Sequence, residues 1–590
     1  MKPADFTRVF DILSYQQEKY PQPEALNYAL NNKWINYPIE QLQVQVNAVS
    51  SWLLKNDFKK GDTIAIVPAT GNPLWMIIDF ACQQIGMITV PLHPTASAGE
   101  IEFILAEVQA KICITSNIEQ LEKVKPLFTS KHLYHLRDSE NEFFPPLHAN
   151  FPAIDIDEVT SITQSISPAD VVCILYTSGT TGTPKGAVLT HHNIVSNIKS
   201  ILPLFPIKAG DRVLSFLPFS HVFERTTCYA YLAFGASVHF CESVDTVAEN
   251  FKIVKPVFFT SVPKTLERMY AYLGHQCEQK NKIKRWLVRW AMKVGEDYQD
   301  DSRKSIAYSL KLFLARILVL NRWRNALSSK TKYIVVGAAA LRPEIARLFS
   351  AARVATLSGY GMTEAAPFIA VNRPEPGMNK FGTVGLPIPG VKIKLDDIND
   401  NGEGEILVQG PNVMQGYFNR PELNAEVFTT DGWFRTGDLG KLMNKRFLTI
   451  TGRKKDLFKT TAGIYIAPQE LENHLLTSPF ILQNMIYGFN KPFVMVLLVP
   501  DFSMLKNWCD ENSIHYTSPQ FMIHNIKVIQ KIQIEIDGLN QTLASYKKIK
   551  KFILCDSEWT TENGDLTTSL KIMRNRVYEK FKSEIEKAYG

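Results

Sequence analysis

The sequence predicts an α/β protein of at least two domains, and three observations support this. Strand-like and helix-like segments alternate from about residue 40 to 400, a pattern typical of largely parallel sheets covered by helices. From about residue 380 the segments become short and β-like, separated by Gly-Pro and Asn-Gly turns, which indicates a compact β-rich subdomain. The chain of 590 residues is also too long for one hydrophobic core.

The alternation is clearest near the N-terminus of the chain. The elements predicted there are a strand at Asp62–Ala69, a helix over Asn72–Gly86, a strand at Met87–Pro94, a helix from Ala96 to Gln109 and a strand at Lys111–Asn117. The last 135 residues or so carry signals of their own, among them a helix starting near Pro468 and the strand "FVMVLLVP". We therefore predict domains at 1–454 and 455–590, with the β-rich subdomain at about 380–454.

Composition bounds the class of protein. Hydrophobic residues make up 45% of the chain and charged residues 21%, as in soluble globular proteins, and the net charge of +7 fits a phosphate-bearing partner or an anionic membrane surface. The eight cysteines form no C-x-x-C pair, which argues against a zinc site or a disulfide framework. The charged first twenty residues predict no signal peptide. The most apolar run, Ile306–Leu320, contains Lys311 and Arg316, so no membrane span is predicted. A cytoplasmic location is expected, because the scattered cysteines suit a reducing compartment.

The segment "LYTSGTTGTPKGAV" (Leu175–Val188) is rich in hydroxyl groups and glycine. Hydroxyls and closely approaching backbone amides can bind phosphate oxygens. A Walker A loop is excluded, because Pro184 precedes Lys185 and Gly186 follows it. A flexible surface loop is the alternative, but the segment lies between an apolar strand and "AVLTHHNIVSNI", which we predict to be a helix. That placement favours a binding site.

"YTSGTTGTPKGAVLTH" resembles the signature loop of the adenylate-forming enzymes, which include acyl-CoA synthetases, peptide-synthetase adenylation domains and firefly-type luciferases. The resemblance implies a large domain of stacked mixed sheets with helices and a small, mobile α+β C-terminal domain. It also implies that Thr177 takes part in catalysis and metal binding. By the same resemblance, the residues that contact the ATP phosphates are Thr177, Ser178, Gly179, Thr180, Thr181, Gly182, Thr183 and Lys185.

Two further segments resemble the family's adenine-binding motifs. "SGYGMTEAAP" (Ser358–Pro367) implies that Tyr360 stacks on adenine, that Thr363 binds phosphate and that Glu364 is a catalytic carboxylate holding Mg²⁺. The same motif adds Gly361 and Met362 to the expected nucleotide contacts. "VVGAAALRPEI" implies that the backbone at Gly337 and Ala338 lies beside the base, and it departs from the family pattern in having Ala340 where proline is commoner.

Three motifs nearer the C-terminus complete the resemblance. Asp438 in "TTDGWFRTGDLGKL" corresponds to the carboxylate that binds both ribose hydroxyls, and Arg453 to a ribose or phosphate contact. Lys455 falls at the family's pivot between domains. Lys571 in "DLTTSLKIMRNRV" corresponds to a catalytic lysine that reaches the acyl and α-phosphate oxygens during adenylate formation.

One upstream motif resembles the fatty-acid side of the family's site. His221 in "LPFSHVFER" corresponds to a histidine lining the carboxylate entrance, and a core histidine is the alternative. This motif, the block around "TGRKKDLFK" and the insert beginning at Lys282 resemble long-chain acyl-CoA synthetases more than acetyl- or aryl-activating enzymes. The resemblance implies a ligase of lipid metabolism that makes acyl-AMP and pyrophosphate from a long-chain fatty acid and ATP, with Mg²⁺, and then transfers the acyl group to coenzyme A.

The insert also predicts a membrane contact. Ile283, Trp286, Leu287, Trp290 and Val294 fall on one helical stripe, with basic residues largely off it, as in helices that lie on anionic membranes. A helix packed on the core is the alternative. Peripheral contact through Ile283–Val294 on the inner face of a membrane is therefore an expectation. No nucleic-acid partner is expected, and the oligomeric state stays open.

Several alternatives remain open in the sequence. Ile464 stands where many long-chain enzymes have an acidic residue, on a loop near the thiol side, so an acyl carrier protein as acceptor, or arrest at acyl-AMP, competes with coenzyme A. An inactive nucleotide- or lipid-binding relative is disfavoured, because Glu364, Asp438, Arg453 and Lys571 are all present. A kinase-like transferase is disfavoured by the failed Walker A match. A luciferase is not excluded by the motifs, although the insert argues against it.

Overall fold

The computed structural model describes residues 5–30, 33–68, 71–136, 155–177, 183–243, 246–278, 282–300, 305–461, 464–567 and 571–590. They fold into two compact units. The first unit comprises 1–393, 408–434 and 443–448, and the second comprises 394–407, 435–442 and 449–590. The predicted domain boundary after residue 454 stays a prediction.

The described residues form the following regular elements. The strands are β1 (Leu26–Leu30), β2 (Lys33–Tyr37), β3 (Thr63–Val67), β4 (Ile88–Pro91), β5 (Ile112–Thr115), β6 (Leu133–His135), β7 (Val171–Thr177), β8 (Lys185–Thr190), β9 (Arg212–Ser215), β10 (Ser237–Phe240), β11 (Phe258–Ser261), β12 (Tyr333–Val336), β13 (Ala355–Gly361), β14 (Phe368–Val371), β15 (Leu386–Pro387), β16 (Lys392–Asp396), β17 (Gly404–Gln409), β18 (Gly416–Tyr417), β19 (Phe434–Met443), β20 (Phe447–Arg453), β21 (Phe458–Lys459), β22 (Tyr465–Ile466), β23 (Ile481–Tyr487), β24 (Val494–Pro500) and β25 (Ile549–Leu554). The helices are α1 (Asp11–Lys19), α2 (Ile39–Lys55), α3 (Pro73–Gln84), α4 (Ala98–Glu107), α5 (Ile118–Val124), α6 (Ile156–Gln164), α7 (His191–Ile201), α8 (Val222–Ala233), α9 (Val247–Val254), α10 (Pro263–Glu278), α11 (Lys282–Glu296), α12 (Ile306–Ala315), α13 (Asn321–Leu327), α14 (Pro343–Ala351), α15 (Pro421–Val427), α16 (Pro468–Leu475), α17 (Phe502–Glu511), α18 (Pro519–His524), α19 (Ile526–Asn540), α20 (Arg574–Lys580) and α21 (Lys582–Tyr589).

The first unit contains two large sheets. One has seven strands in the order β18-β8-β7-β4-β3-β5-β6, and the other has nine in the order β15-β14-β13-β12-β11-β9-β10-β1-β2. Strands β10, β9, β11, β12 and β13 run parallel, so their carboxyl ends share one edge. The predicted elements between residues 62 and 117 are confirmed as β3, α3, β4, α4 and β5. Every residue of β3 is buried, because helices cover parallel sheets on both faces.

The helix predicted over "AVLTHHNIVSNI" is wrong in its first third. Strand β8 continues to Thr190 and pairs antiparallel with β7, so the hydroxyl-rich segment joins two neighbouring strands. Helix α7 begins only at His191. The Thr190 hydroxyl accepts the Asn193 backbone N–H, and the Asn193 side chain accepts the Thr190 N–H, which forms a capping box that starts the helix there.

The apolar stripe predicted on the insert helix α11 is not one continuous exposed surface. Val294 is buried, and Leu287 and Trp290 are partly buried against a cluster that also includes residues of α12 and α14. Ile283 and Trp286 at the start of the helix are exposed. The apolar residues divide in this way because the helix packs on its neighbours through its C-terminal half. Among the helices of the described ranges, none is long and apolar enough to cross a bilayer.

The second unit is built around a three-stranded sheet in the order β23-β24-β25. Both faces of β24 are buried, because Val494, Val496 and Leu498 enter one hydrophobic cluster while Met495 and Leu497 enter another. The predicted strand "FVMVLLVP" and the predicted helix start at Pro468, the first residue of α16, are confirmed. A four-stranded sheet in the order β16-β17-β19-β20 lies largely in this unit.

Candidate active site

Strands β7 and β8 bracket the predicted phosphate-binding loop. Thr177 and Lys185 are opposite each other in the ladder, and the Thr177 hydroxyl donates to the Lys185 carbonyl at 3.5 Å. A Cβ on Gly186 would lie 2.6 Å from the Ile174 side chain, so a larger residue here would require Ile174 to shift. Thr183 is exposed at the entry to β8. The predicted contacts Ser178, Gly179, Thr180, Thr181 and Gly182 lie outside the described residues.

Lys185, the first residue of β8, is linked to the predicted metal carboxylate Glu364 through Tyr417. Strand β18 pairs with β8, which places the Lys185 ammonium 5.7 Å from the centroid of the Tyr417 ring. The Tyr417 hydroxyl donates a 2.7 Å hydrogen bond to Oε1 of Glu364. The structure therefore brings together Lys185 and Glu364, which are far apart in the chain, and Thr177 lies opposite Lys185.

Glu364 lies in a short 3-10 turn, Thr363–Ala365, that directly follows β13 and Met362. Two buried amides hold this turn: the Ala365 carbonyl accepts from Asn412 at 2.8 Å and from Asn197 at 3.3 Å. The Glu364 side chain is buried. Desolvating a carboxylate is costly without a compensating charge, and among the described residues no Lys or Arg forms an ion pair with it.

This environment suits Mg²⁺ bound together with a nucleotide. Mg²⁺ is commonly held by one or two carboxylates, waters and substrate phosphates instead of an all-protein cage. Glu364, with a hydroxyl such as that of Thr177, therefore fits a metal completed by phosphate oxygens.

The predicted adenine-side residues lie at the carboxyl edge of the nine-stranded sheet. Gly337 and Ala338 follow β12, while Tyr360 and Gly361 end the neighbouring parallel strand β13. A Cβ on Gly361 would lie 2.1 Å from the Pro367 carbonyl oxygen, which excludes any side chain. Ala338 has φ of +70°, a strained value for a residue with a Cβ. Such strain is often found at binding sites.

His221 lies at the same edge and has a partner that the sequence did not single out. It follows β9 and immediately precedes α8, and its ring centroid is 5.0 Å from that of His93, which follows β4 of the other sheet. His93 Nδ1 accepts the Thr95 backbone N–H at 3.2 Å, so a proton on the neutral ring is at Nε2. Burial, together with the His221 charge, lowers the pKa of His93 to about 3. The pair is where the carboxyl edges of the two sheets meet.

The predicted ribose-binding pair belongs to the second unit. Oδ1 of the buried Asp438, on β19, lies 3.0 Å from Nε of Arg453, at the end of β20. Lys455 is exposed in the 3-10 turn that follows, and its neighbour Lys454 pairs with Glu405 at 2.8 Å. Asp438 and Arg453 are thus adjacent, as joint contacts to one sugar require.

Lys571 is exposed, and two interactions hold the described residues on either side of it. Its backbone N–H donates to the Thr567 hydroxyl at 3.0 Å, and Leu566 and Ile572 form an isolated β-bridge. Arg574, three residues after Lys571, donates to both carboxylate oxygens of Glu472 at 2.6 Å. The lysine therefore projects from a well-anchored part of the second unit.

Ile464, the departure noted in the loop after the pivot, has a structural role. Its side chain packs against the core of the second unit, and its carbonyl accepts the Thr460 N–H at 3.0 Å.

Tyr417 and His93 are candidate site residues that the sequence analysis did not identify. The only sequence signal for His93 was its place at the end of a predicted strand, and Tyr417 had none.

Tyr417→Phe is expected to raise the Mg²⁺ concentration needed for half-maximal adenylation by about tenfold, because the lost hydrogen bond is to a charged group. A Mg²⁺ titration of pyrophosphate release would measure this. Tyr465→Phe, at an exposed tyrosine, is the matched control. An unchanged Mg²⁺ requirement for Tyr417→Phe would contradict a role in holding Glu364.

Glu224, three residues after His221, is expected to make stability depend on pH. It is fully buried, accepts hydrogen bonds from Ser215 and Thr260, and burial raises its pKa from 4.5 to about 7. Between these values the folded state binds more protons than the unfolded state, so the stability contribution is present below pH 4.5 and is lost as the pH rises to 7. The loss is roughly 3 kcal/mol.

Urea unfolding of Glu224→Gln beside the wild type would test this. The stability of the wild type relative to Glu224→Gln should fall by roughly 3 kcal/mol between pH 4.5 and 8. Glu422→Gln, at an exposed position, should show no comparable trend. A pH-independent difference for Glu224→Gln would rule out a raised pKa at this position.

Comparison with protein families defines the class of this molecule. The model of the AMP-binding enzymes matches residues 13–418, and that of the AMP-binding enzyme C-terminal domain matches 455–590. Together they span most of the chain. The chain belongs to the AMP-binding enzymes, the adenylate-forming class that the motifs resemble.

Individual relatives show which group of AMP-binding enzymes this chain resembles. Long-chain-fatty-acid–CoA ligase 6 of Mus musculus is 30% identical, covering 94% of this chain and 82% of the mouse protein. A long-chain-fatty-acid–CoA ligase of Mycobacterium bovis is 29% identical over 95% of this chain and 93% of its own. The chain belongs to the long-chain-fatty-acid–CoA ligase family of AMP-binding enzymes.

Solved structures show the same fold at lower identity. The adenylation domain of a carboxylate reductase from Mycobacterium chelonae aligns with a TM-score of 0.75 and 21% identity, covering 99% of this chain and 91% of that one. The o-succinylbenzoate CoA synthetase of Bacillus subtilis, solved with ATP and magnesium, aligns with a TM-score of 0.68 and 21% identity over 96% and 98% of the two chains. The predicted fold class is confirmed.

Proposed function

We propose that this protein activates a long-chain fatty acid with ATP to give acyl-AMP and pyrophosphate, and then transfers the acyl group to coenzyme A, giving acyl-CoA and AMP. Membership of the long-chain-fatty-acid–CoA ligase family carries this proposal. The contact between Lys185, Tyr417 and Glu364 supports it, because it gathers a cation and a carboxylate beside a hydroxyl-rich loop.

In the proposed mechanism the first unit binds the nucleotide base and phosphates. Tyr360 and the backbone at Gly337 and Ala338 contact adenine, with Gly361 and Met362 completing the pocket wall. The predicted phosphate contacts are Thr177, Ser178, Gly179, Thr180, Thr181, Gly182, Thr183, Lys185 and Thr363. Glu364 and Thr177 would hold Mg²⁺, which when bound neutralises phosphate charge.

Second-unit residues complete the proposed chemistry. Asp438 accepts from the ribose hydroxyls and Arg453 contacts the ribose or a phosphate. Lys571 stabilises the charge that develops as the fatty-acid carboxylate attacks the α-phosphorus and pyrophosphate leaves. We propose that residues 455–590 turn about Lys455 between this step and the thiol step, in which the coenzyme A sulfur attacks the acyl carbon and AMP leaves. His221 lines the path of the carboxylate.

Release of AMP and pyrophosphate, measured across fatty acids of increasing chain length with and without coenzyme A, tests the proposal. We expect turnover to be greatest with long-chain acids and to require coenzyme A. ADP as the product would contradict adenylation. Multiple turnovers with acyl carrier protein but not coenzyme A would support the second candidate, an acyl carrier protein ligase, which is retained because Ile464 replaces the acidic residue of many long-chain enzymes.

We also propose that the protein meets the inner face of a membrane from the cytoplasm, where its fatty acid would dissolve. In the expected segment Ile283–Val294, the exposed residues Ile283 and Trp286 and the neighbouring lysines of the first turn support this contact. Val294 cannot contribute, because it is buried.

A further inference from the structure

Helix α12 and the π-helical turn Arg316–Leu320 that continues it are apolar on two opposite sides. One side packs inside the first unit through Leu312, Ala315 and Val319. The other, which we call the exposed apolar face, consists of side chains that are 41% to 89% exposed: Ile306, Leu310, Phe313, Leu314, Ile317 and Leu318. Contiguous exposed apolar side chains often mark an interaction surface, so this face is a candidate for binding a partner.

The charge around this helix identifies the kind of partner. Between residues 282 and 324 the sequence contains eleven Lys or Arg and four Asp or Glu, whereas the whole chain has 65 and 58. Basic charge is thus concentrated in the stretch of sequence that contains the exposed apolar face, and α11, which carries part of that charge, packs against α12. Lys311 is exposed between Leu310 and Phe313, where its long side chain can keep the ammonium in water while its stem contacts apolar groups. An exposed apolar face in a basic stretch of the chain complements an anionic bilayer surface.

The length and packing of this helical segment allow it to lie in the surface of a bilayer but not to cross the bilayer. A spanning helix needs about 20 apolar residues. The segment is shorter, and Arg316 Nε donates to the Ala351 carbonyl at 2.7 Å, which ties the segment to α14. With one side held in the core, only the exposed apolar face can enter lipid.

We propose that the exposed apolar face of α12 and its π-helical turn inserts into the headgroup boundary of an anionic bilayer, with the surrounding Lys and Arg side chains binding lipid headgroups. This inference rests on the proposed function, because a long-chain fatty acid is dissolved in such a bilayer. It moves the main membrane contact from α11, whose C-terminal half is packed, to α12.

Vesicle sedimentation of the whole protein without nucleotide tests the proposal. The wild type is expected to bind phosphatidylcholine vesicles containing phosphatidylglycerol, and to bind them less at high salt or when the vesicles are phosphatidylcholine alone. Leu310→Ser/Phe313→Ser/Ile317→Ser should weaken partitioning about a hundredfold, because three inserted apolar side chains are lost. These positions are exposed, so folding should be unaffected.

The matched control is Val44→Ser/Ile118→Ser/Ile156→Ser, which removes three similarly exposed apolar side chains elsewhere in the first unit and should leave vesicle binding unchanged. Equal vesicle binding by the Leu310 triple variant and the wild type, or no binding by the wild type, would overturn the proposal. A lipid-free wild-type dimer that the Leu310 triple variant dissociates, with no vesicle binding by either, would also overturn it and assign the face to a second copy of the chain.

Activity separates this inference from the proposed function. With a short, water-soluble fatty acid the Leu310 triple variant should release AMP as fast as the wild type. If the wild type binds vesicles but releases no AMP with any fatty acid tested, the proposed function is contradicted and the membrane proposal is not.

Discussion

Lys571→Ala is expected to slow acyl-AMP formation by about 10²–10³-fold, the cost of removing a charge aimed at the transition state. The transfer of the acyl group from supplied acyl-AMP to coenzyme A should stay near the wild-type rate, because the lysine is assigned only to the first step. Pyrophosphate release and acyl-CoA formation from synthetic acyl-AMP measure the two half-reactions. The thermal midpoint should not change, because the side chain is exposed.

Lys550→Ala, at an exposed lysine of β25 in the same unit, is the matched control and should leave both steps unchanged. Lys571→Arg keeps the charge but not the compact ammonium, and we expect partial activity in the first step. Equal losses in both half-reactions of Lys571→Ala would show that the lysine acts elsewhere.

Arg225→Met is expected to lower the free energy of unfolding by about 3–5 kcal/mol, because it leaves the Asp79 carboxylate buried without its cation. Both side chains are essentially inaccessible. Arg225 donates to Asp79 and, at 2.8 Å, to the Tyr229 hydroxyl, which itself donates to Asp79. Gln83 adds a 2.9 Å hydrogen bond to the same carboxylate. Urea unfolding followed by tryptophan fluorescence would measure the loss.

Arg212→Met is the matched control, because Arg212 pairs with Glu24 at 3.2 Å where both side chains are well exposed. Its cost should stay below about 1 kcal/mol. Adding Asp79→Leu to Arg225→Met should recover part of the lost stability, since no buried charge then remains. A small effect of Arg225→Met, similar to that of Arg212→Met, would mean that the network contributes little.

The motif "SHVFER" contains, besides His221, the buried Arg225 of this network. Asp79 lies on α3 and Arg225 on α8, which follow strands of different sheets. The pair therefore ties together the two sheets whose carboxyl edges carry His93 and His221. We expect part of any activity lost by Arg225 variants to arise from a shift in that edge.

The sequence predicts the layered fold well because buried parallel strands such as β3 are short apolar runs with clear ends. It fails at β8, where "AVLT" suits a strand or a helix start equally, and only pairing with β7 decides. The sequence also does not show which apolar residues of α11 are packed and which are exposed, because α11 has more apolar residues than its packing face can cover.

For the candidate site, too, some residues could be predicted from the sequence and others could not. Motif residues such as Glu364 and Asp438 can be proposed from their local patterns, because those patterns occur together along the chain. Tyr417 cannot, since its hydrogen bond to Glu364 spans 53 residues and depends on β18 pairing with β8. His93 meets His221 only because two separate sheets present their edges to each other.

The pairing of Thr177 with Lys185 fixes the register of β8 against β7. Sliding β8 by one residue along β7 would turn the buried Ala187 and Leu189 outward and the half-exposed Val188 inward. Homologues of this protein should therefore keep apolar residues at the positions of Ala187 and Leu189, because only this register buries them.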